Sequence, residues 1–214
     1  MKLDDTQLLE LFSSAYIIGG SPCSGKSTIT ERLSQEFKFN TFKVDDHLED
    51  YGNQATEIAK PVMYQFSQLS WNEIWSRPLE VQVSEEILYF QEMFSLVLAD
   101  LQKIVPNRSC IMEGAAFLPE LLHLWPVNPN RVLFMVPTLD FQISHYRNRA
   151  WIQPILQSCK DPDFAFSQWM KRDELFGKEI IRQANRYDYQ VIEVDGSIAV
   201  DDLYQLIKCK LNLC

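Results

Sequence analysis

Short apolar runs alternate with amphipathic stretches along the chain. Ala15-Tyr16-Ile17-Ile18, bounded by Gly19-Gly20, reads as a buried parallel strand. Ile29, Leu33 and Phe37 then recur every four residues among polar neighbours, one apolar stripe on a helix starting near Lys26. Asn40 to Val44 reads as a second strand ending at Asp45-Asp46. Residues 47 to 107 run on without a clear strand. Within them, Glu85 to Lys103 carries apolar residues at 87, 88, 90, 94, 97, 98 and 101, a strong helical period. Tyr51 to Arg77 is weaker, with Trp71 and Trp75 one helical turn apart and Pro78 as its break. Ser109 to Met112 is a third strand ending at Glu113-Gly114, and Arg131 to Val136 a fourth, stopped by Pro137. Helices follow over Asp140 to Asn148 and Asp163 to Asn185. Gln190 to Val194 is a fifth strand ending at Asp195-Gly196, and Val200 to Leu211 is a closing helix. Alternating strands and helices with right-handed crossovers give an open parallel sheet covered on both faces, with a ligand crevice beyond the carboxyl ends of the strands.

The turn between the first strand and the first helix carries the chemistry. Gly20, Ser21, Pro22, Cys23, Ser24, Gly25, Lys26 and Ser27 match Gly-x4-Gly-Lys-Ser/Thr, followed by Thr28. Glycines at both ends let the backbone turn so that successive N–H groups converge on phosphates, and the following helix adds its positive dipole end. Lys26 supplies a point charge for the β and γ phosphates, and the Ser27 hydroxyl is a ligand for Mg2+. Cys23 contributes its backbone N–H.

Composition narrows the class. The chain has 214 residues, 46% hydrophobic and 23% charged, within reach of a single domain. A net charge of −9 repels nucleic-acid backbone over most of the surface, so any anion is held locally. Five scattered cysteines without Cys-x-x-Cys spacing argue for reduced thiols in a cytoplasm, against a zinc site or disulfide framework. Met1 to Glu10 has neither the apolar core of a leader nor that of a membrane anchor. His47, His123 and His145 are dispersed and carry no metal-ligand spacing.

The loop at 20–28, Val44-Asp45-Asp46-His47, Ile111-Met112-Glu113-Gly114 and the arginines Arg147, Arg149 and Arg172 together resemble the P-loop small-molecule kinases. Shikimate, gluconate, adenylate and 2-phosphoglycerate kinases and chloramphenicol phosphotransferase belong to that group. The resemblance follows the order of elements along nearly the whole chain. It implies a P-loop NTPase three-layer α/β sandwich with a five-stranded parallel sheet. It also implies one domain over 1–214, with a helical acceptor-binding insert at 51–103 and a lid at 147–172. ATP and Mg2+ are the implied cofactors and a small-molecule phosphoryl acceptor the implied partner, without nucleic acid or membrane.

By the same resemblance, Asp45 takes the place of the carboxylate that approaches the acceptor hydroxyl, and Asp46 is the competing candidate, as base, water-mediated Mg2+ ligand or helix cap. Glu113 matches an acidic position that holds a metal-linked water or a substrate group. The chain has Glu-Gly there in place of the commoner Asp. Arg149 and Arg172 are the expected lid arginines, since a planar guanidinium pairs with phosphate oxygens. Pro154, Lys160 and Asp161-Pro162 suggest an irregular, mobile segment between two helices, as a closing lid requires. Asn185-Arg186 borders the adenine or simply ends a helix. Trp71, Trp75, Arg77, Tyr89 and Phe90 either line the acceptor pocket or pack inward as core. The alternative function is an NTP hydrolase or nucleotide-dependent switch acting on a protein partner. The sequence lacks the Asp-x-x-Gly and Asn/Thr-Lys-x-Asp motifs of a GTPase, and Met112-Glu113-Gly114 offers one carboxylate where a motor-type ATPase has two.

Overall fold

A computed structural model describes residues 5–104 and 109–214. Residues 1–4, which begin the Met1 to Glu10 stretch, and residues 105–108 lie outside the described residues. The chain order is α1 (Asp5–Ser14), β1 (Tyr16–Gly20), α2 (Lys26–Phe37), β2 (Asn40–Lys43), α3 (Leu48–Asn53), α4 (Pro61–Gln68), α5 (Trp71–Ser76) and α6 (Leu79–Leu101). It continues with β3 (Cys110–Glu113), α7 (Pro119–Leu122), β4 (Val132–Pro137), α8 (Leu139–Arg147), α9 (Ile152–Gln157), α10 (Pro162–Arg186), β5 (Gln190–Val194) and α11 (Val200–Lys210).

The five strands form one parallel sheet in the order β2-β3-β1-β4-β5. Strand side chains alternate between faces, and the core divides accordingly. Ile17, Met112, Val132, Phe134 and Val136 pack with α1, α6 and α10 on one face. Ile18, Ile111, Leu133, Met135 and Ile192 pack with α2 and α11 on the other. This three-layer parallel α/β sandwich is the expected fold class. A third cluster, built on Trp75, Tyr146, Ile152 and Trp169, lies among α5, α8, α9 and α10. Among the described residues, no helix is long and apolar enough to cross a membrane.

Some local expectations are corrected. The second strand ends one residue early, because Val44–His47 winds into a 3-10 turn that carries Asp45 and Asp46. The helix expected from Glu85 begins at Leu79, directly after Pro78, whose ring suits the position before a first helical turn. The segment expected to be irregular between Arg149 and Asp161 contains α9, and α10 then runs unbroken for 25 residues. Reduced thiols hold only for Cys23, Cys110 and Cys159, since Cys209 and Cys214 form a disulfide. Asn212 adopts a left-handed conformation just past the end of α11, with Leu213 N–H donating to the Lys208 carbonyl at 2.9 Å; this turns the chain back and brings the two Cα atoms within 5.1 Å.

Candidate active site

The turn after β1 has the backbone needed for a phosphate cradle. Gly20 has φ 123°, and a Cβ there would lie 2.0 Å from the Met135 carbonyl oxygen on β4, so the close approach of β1 to β4 admits only glycine. Gly25, at φ 84°, stands immediately before α2, and Cys23, at φ 65°, is also left-handed. Ser21 N–H donates to the Met135 carbonyl at 3.2 Å, and Ser24 Oγ donates to the Ser21 carbonyl at 3.1 Å. α10 closes over the turn at Gly177, where a Cβ would approach Ser21 Oγ to 3.3 Å and Val136 Cγ1 to 2.7 Å. Lys26 folds back across the loop and donates from Nζ to the Ser21 carbonyl at 2.7 Å.

Three strand ends converge on this turn and set its electrostatics. Burial pulls the Lys26 ammonium below its ordinary value, against the pull of Glu113 and Asp45. The Glu113 carboxyl is pushed up by burial, opposed by a hydrogen bond from Ser27 and by the charge of Lys26. Glu113 Oε1 is buried without a hydrogen-bond partner. A serine hydroxyl beside a buried carboxylate with an unpaired oxygen is a donor set that fits a hard divalent cation. Among the described residues, no three His, Cys, Asp or Glu side chains group as a metal cage.

These shifts give a test. Because the native environment disfavours ionised Glu113, the carboxylate costs stability once pH rises through its raised native pKa, and costs nothing below the unfolded glutamate pKa. Glu113→Gln should therefore stabilise the free protein at neutral pH, with the gain fading as pH falls from the raised native pKa to the ordinary glutamate value. Urea denaturation across pH 4–8 measures it.

Two cavities meet at the loop. One, of about 620 Å³, runs from Lys26, Ser27 and Asp45 to a wall of aromatic side chains from α4, α5, α6, α8 and α10 and from Trp151. The other, of about 700 Å³, lies beside Gly25 and Thr28 and is lined by Phe141, His145, Asn148, Val194 and Ile198. Cys23, Ser24 and Arg149 line both. Arg149 spans the loop mouth, its Nη2 3.6 Å from Cys23 Sγ and its guanidinium 5.0 Å above the Tyr146 ring.

The expected site residues thus separate into groups. Lys26, Ser27, Asp45, Glu113 and Arg149 come together at the loop, Asp45 and Glu113 both acting on Lys26. Asp46 is exposed, and its charge is felt at Lys43. Arg172 lies inside α10, 7% exposed, donating from Nε to Asp173 Oδ1 at 2.7 Å and from Nη1 to Glu86 Oε2. Arg147 is exposed over Phe166, and Asn185-Arg186 ends α10 without lining either cavity. Trp71, Trp75, Tyr89 and Phe90 line the first cavity, whereas Arg77 pairs with Glu85 behind it. Trp151, Trp169 and Glu86 complete the wall without having been singled out in the sequence. The stacking of Trp75 on Trp169 joins α5 to α10, a contact no local pattern reveals.

No protein-family model matches the chain, and no curated protein matches it. Solved structures do. TT1252 from Thermus thermophilus is similar at 16% identity and TM-score 0.50, over 94% of this chain and 97% of that one. Deoxyadenosine kinase from M. mycoides, with bound dATP, is similar at 16% identity and TM-score 0.48, over 92% and 99%. Shikimate kinase from Aquifex aeolicus follows at 18% identity and TM-score 0.44, over 92% and 96%. At such identity the likeness is one of fold. The shared fold is the five-stranded parallel α/β sandwich described above.

Proposed function

We propose that the chain is an ATP- and Mg2+-dependent phosphotransferase, a kinase that moves the γ-phosphoryl group to a hydroxyl or phosphate of a small metabolite. One observation carries this reading: the phosphate loop and Asp45 open into the same cavity, whose far wall is made largely by helices lying between β2 and β3. A hydrolase needs room for water; this cavity has room for a second molecule.

Each residue then has a task. The loop amides from Ser21 to Thr28 and the start of α2 hold the phosphates, and Lys26 exchanges the Ser21 carbonyl for phosphoryl oxygens. Ser27 and Glu113 would hold magnesium, which would supply neutralising charge to the phosphates. Arg149, at the loop mouth, pairs with oxygens of the transferred group. The acceptor oxygen forms a bond to the γ-phosphorus as the bond to the β–γ bridging oxygen breaks; the electron pair leaves with ADP, and the acceptor proton passes to Asp45 and on to water. Asp45 is better placed for this than Asp46, which does not line the cavity. Arg172 belongs to the acceptor wall, where its charge is engaged by carboxylates. The cytoplasm, where ATP is made and kept, is the compartment this reading implies.

The test is a panel of hydroxyl compounds incubated with γ-labelled ATP and Mg2+. Label should enter an organic product, and Asp45→Asn should slow that transfer by roughly 10²–10⁴-fold, the range of a general base. Label released only as free phosphate, at equal rates in both proteins, would make the chain a hydrolase.

A further inference from the structure

The acceptor end of the first cavity has a distinct chemistry. Trp75 and Trp169 stack with ring centroids 4.6 Å apart, and Trp71 lies nearly parallel to Trp75, with an interplanar angle of 9°. Trp151 stands against Trp169 at 5.8 Å, and Phe66 against Tyr89 at 5.5 Å. Trp71 and Trp151 remain 42% and 50% exposed, so the aromatic surface is not all consumed as core. Flat rings recognise flat rings, because every aromatic face accepts a stacked partner.

The polar groups of this wall select further. Trp75 and Trp169 are 2% and 6% exposed, and the indole N–H of each lacks a hydrogen-bond partner. Buried unpaired donors call for an acceptor atom, which a carbonyl or ring nitrogen provides and an ammonium group does not. Arg172 in this wall has its guanidinium already shared between Glu86 and Asp173 while lying 5.1 Å over the Trp75 ring, and Arg149 reaches the Trp151 ring at 5.9 Å from the loop side. A carboxylate or phosphate on the acceptor would have to displace one of those buried carboxylates. A cationic acceptor fares no better, since Glu86 is spent on Arg172. The remaining cations of the cavity, Lys26 and Arg149, lie at the loop.

We propose that the phosphoryl acceptor is an uncharged compound with a flat aromatic ring bearing an alcohol, its ring against the tryptophan wall and its hydroxyl toward Asp45. The proposal rests on the phosphotransferase reading and narrows it: the acceptor is neither an acid, nor a phosphate ester, nor a simple sugar. The ATP base does not compete for this wall, because the second cavity, lined by Phe141, Val194 and Ile198, lies beside the loop for it.

Equilibrium dialysis with Mg2+ and saturating ADP tests this, using labelled thymidine, uridine and pyridoxine against labelled shikimate, gluconate and choline. At least one of the three aromatic alcohols should be retained and, in a parallel assay with ATP, phosphorylated. Trp71→Leu, at an exposed position that leaves the core intact, should weaken that retention roughly five- to tenfold, the loss expected of one stacking partner. Trp75→Leu should weaken it further, and ADP binding should be unchanged in the Trp71 variant. Retention of shikimate, gluconate or choline in preference, retention of none of the aromatic alcohols, or retention indifferent to Trp71→Leu would overturn the proposal. ADP binding in the same samples separates the two claims, for if ADP is bound and the aromatic alcohols are not, the acceptor class falls and the nucleotide site stands.

Discussion

Lys26→Ala should lower phosphoryl transfer by roughly 10²–10³-fold, the loss that follows removal of one preorganised charged donor at a reacting centre. The fold should survive. Lys26 sits with its ammonium pulled below its ordinary value by burial, so the native state holds that charge at a cost near neutral pH. A base with a lowered pKa detracts from stability below its native pKa, and this deficit disappears when the amine is removed. The variant also gives up one hydrogen bond, to the Ser21 carbonyl at 2.7 Å, a loss of about 1 kcal/mol. Thermal unfolding near the wild-type temperature, with turnover lost, is the expected pair of results. Retained turnover in a folded Lys26→Ala protein would refute the placement of the triphosphate.

Arg172→Leu should act in the opposite way, on stability before chemistry. Arg172, Glu86 and Asp173 are all at least nine-tenths buried, and Asp173 also accepts a hydrogen bond from the Tyr146 hydroxyl at 2.9 Å. Removing the guanidinium leaves two buried carboxylates facing each other without a cation, a change that costs about 3–5 kcal/mol. For a domain of this size that corresponds to a drop of about 10 °C in Tm. Calorimetric melting of the free protein measures it. An unchanged melting temperature together with lost turnover would return Arg172 to the triphosphate, as the resemblance to kinase lids implies.

The centre of the sheet was legible because β1, β3 and β4 are short apolar runs that end at a glycine, an acidic residue and a proline. β5 was read at Gln190 to Val194, where it lies. α2 was read from Ile29 and Leu33, which are 2% and 0% exposed. α1 was overlooked, although Leu8, Leu11, Phe12 and Ala15 follow a helical spacing and all are buried. α5 had its own marker in Ser70 and Glu73, which form a capping box across the first turn. The phosphate loop was legible because its function resides in backbone geometry that glycine spacing dictates. The aromatic wall of the first cavity was not, because it depends on tertiary contacts. Trp75 meets Trp169, and Glu86 meets Arg172, only after α5 and α6 fold against α10. A lone arginine in a helical stretch reads as a solvated charge or a phosphate ligand until its buried carboxylates are seen. The cysteine pair at 209 and 214 was hidden for a similar reason, since it closes only through the left-handed turn at Asn212.

Isothermal titration of the free protein with ATP in the presence of Mg2+ decides whether the turn after β1 holds a triphosphate. One ATP per chain should be taken up with a dissociation constant of roughly 1 μM–1 mM, the span of ordinary enzyme substrates, and this uptake should be lost when Mg2+ is withdrawn or Lys26 is replaced. Absence of heat with ATP and with GTP at millimolar concentration, magnesium in excess, would contradict it.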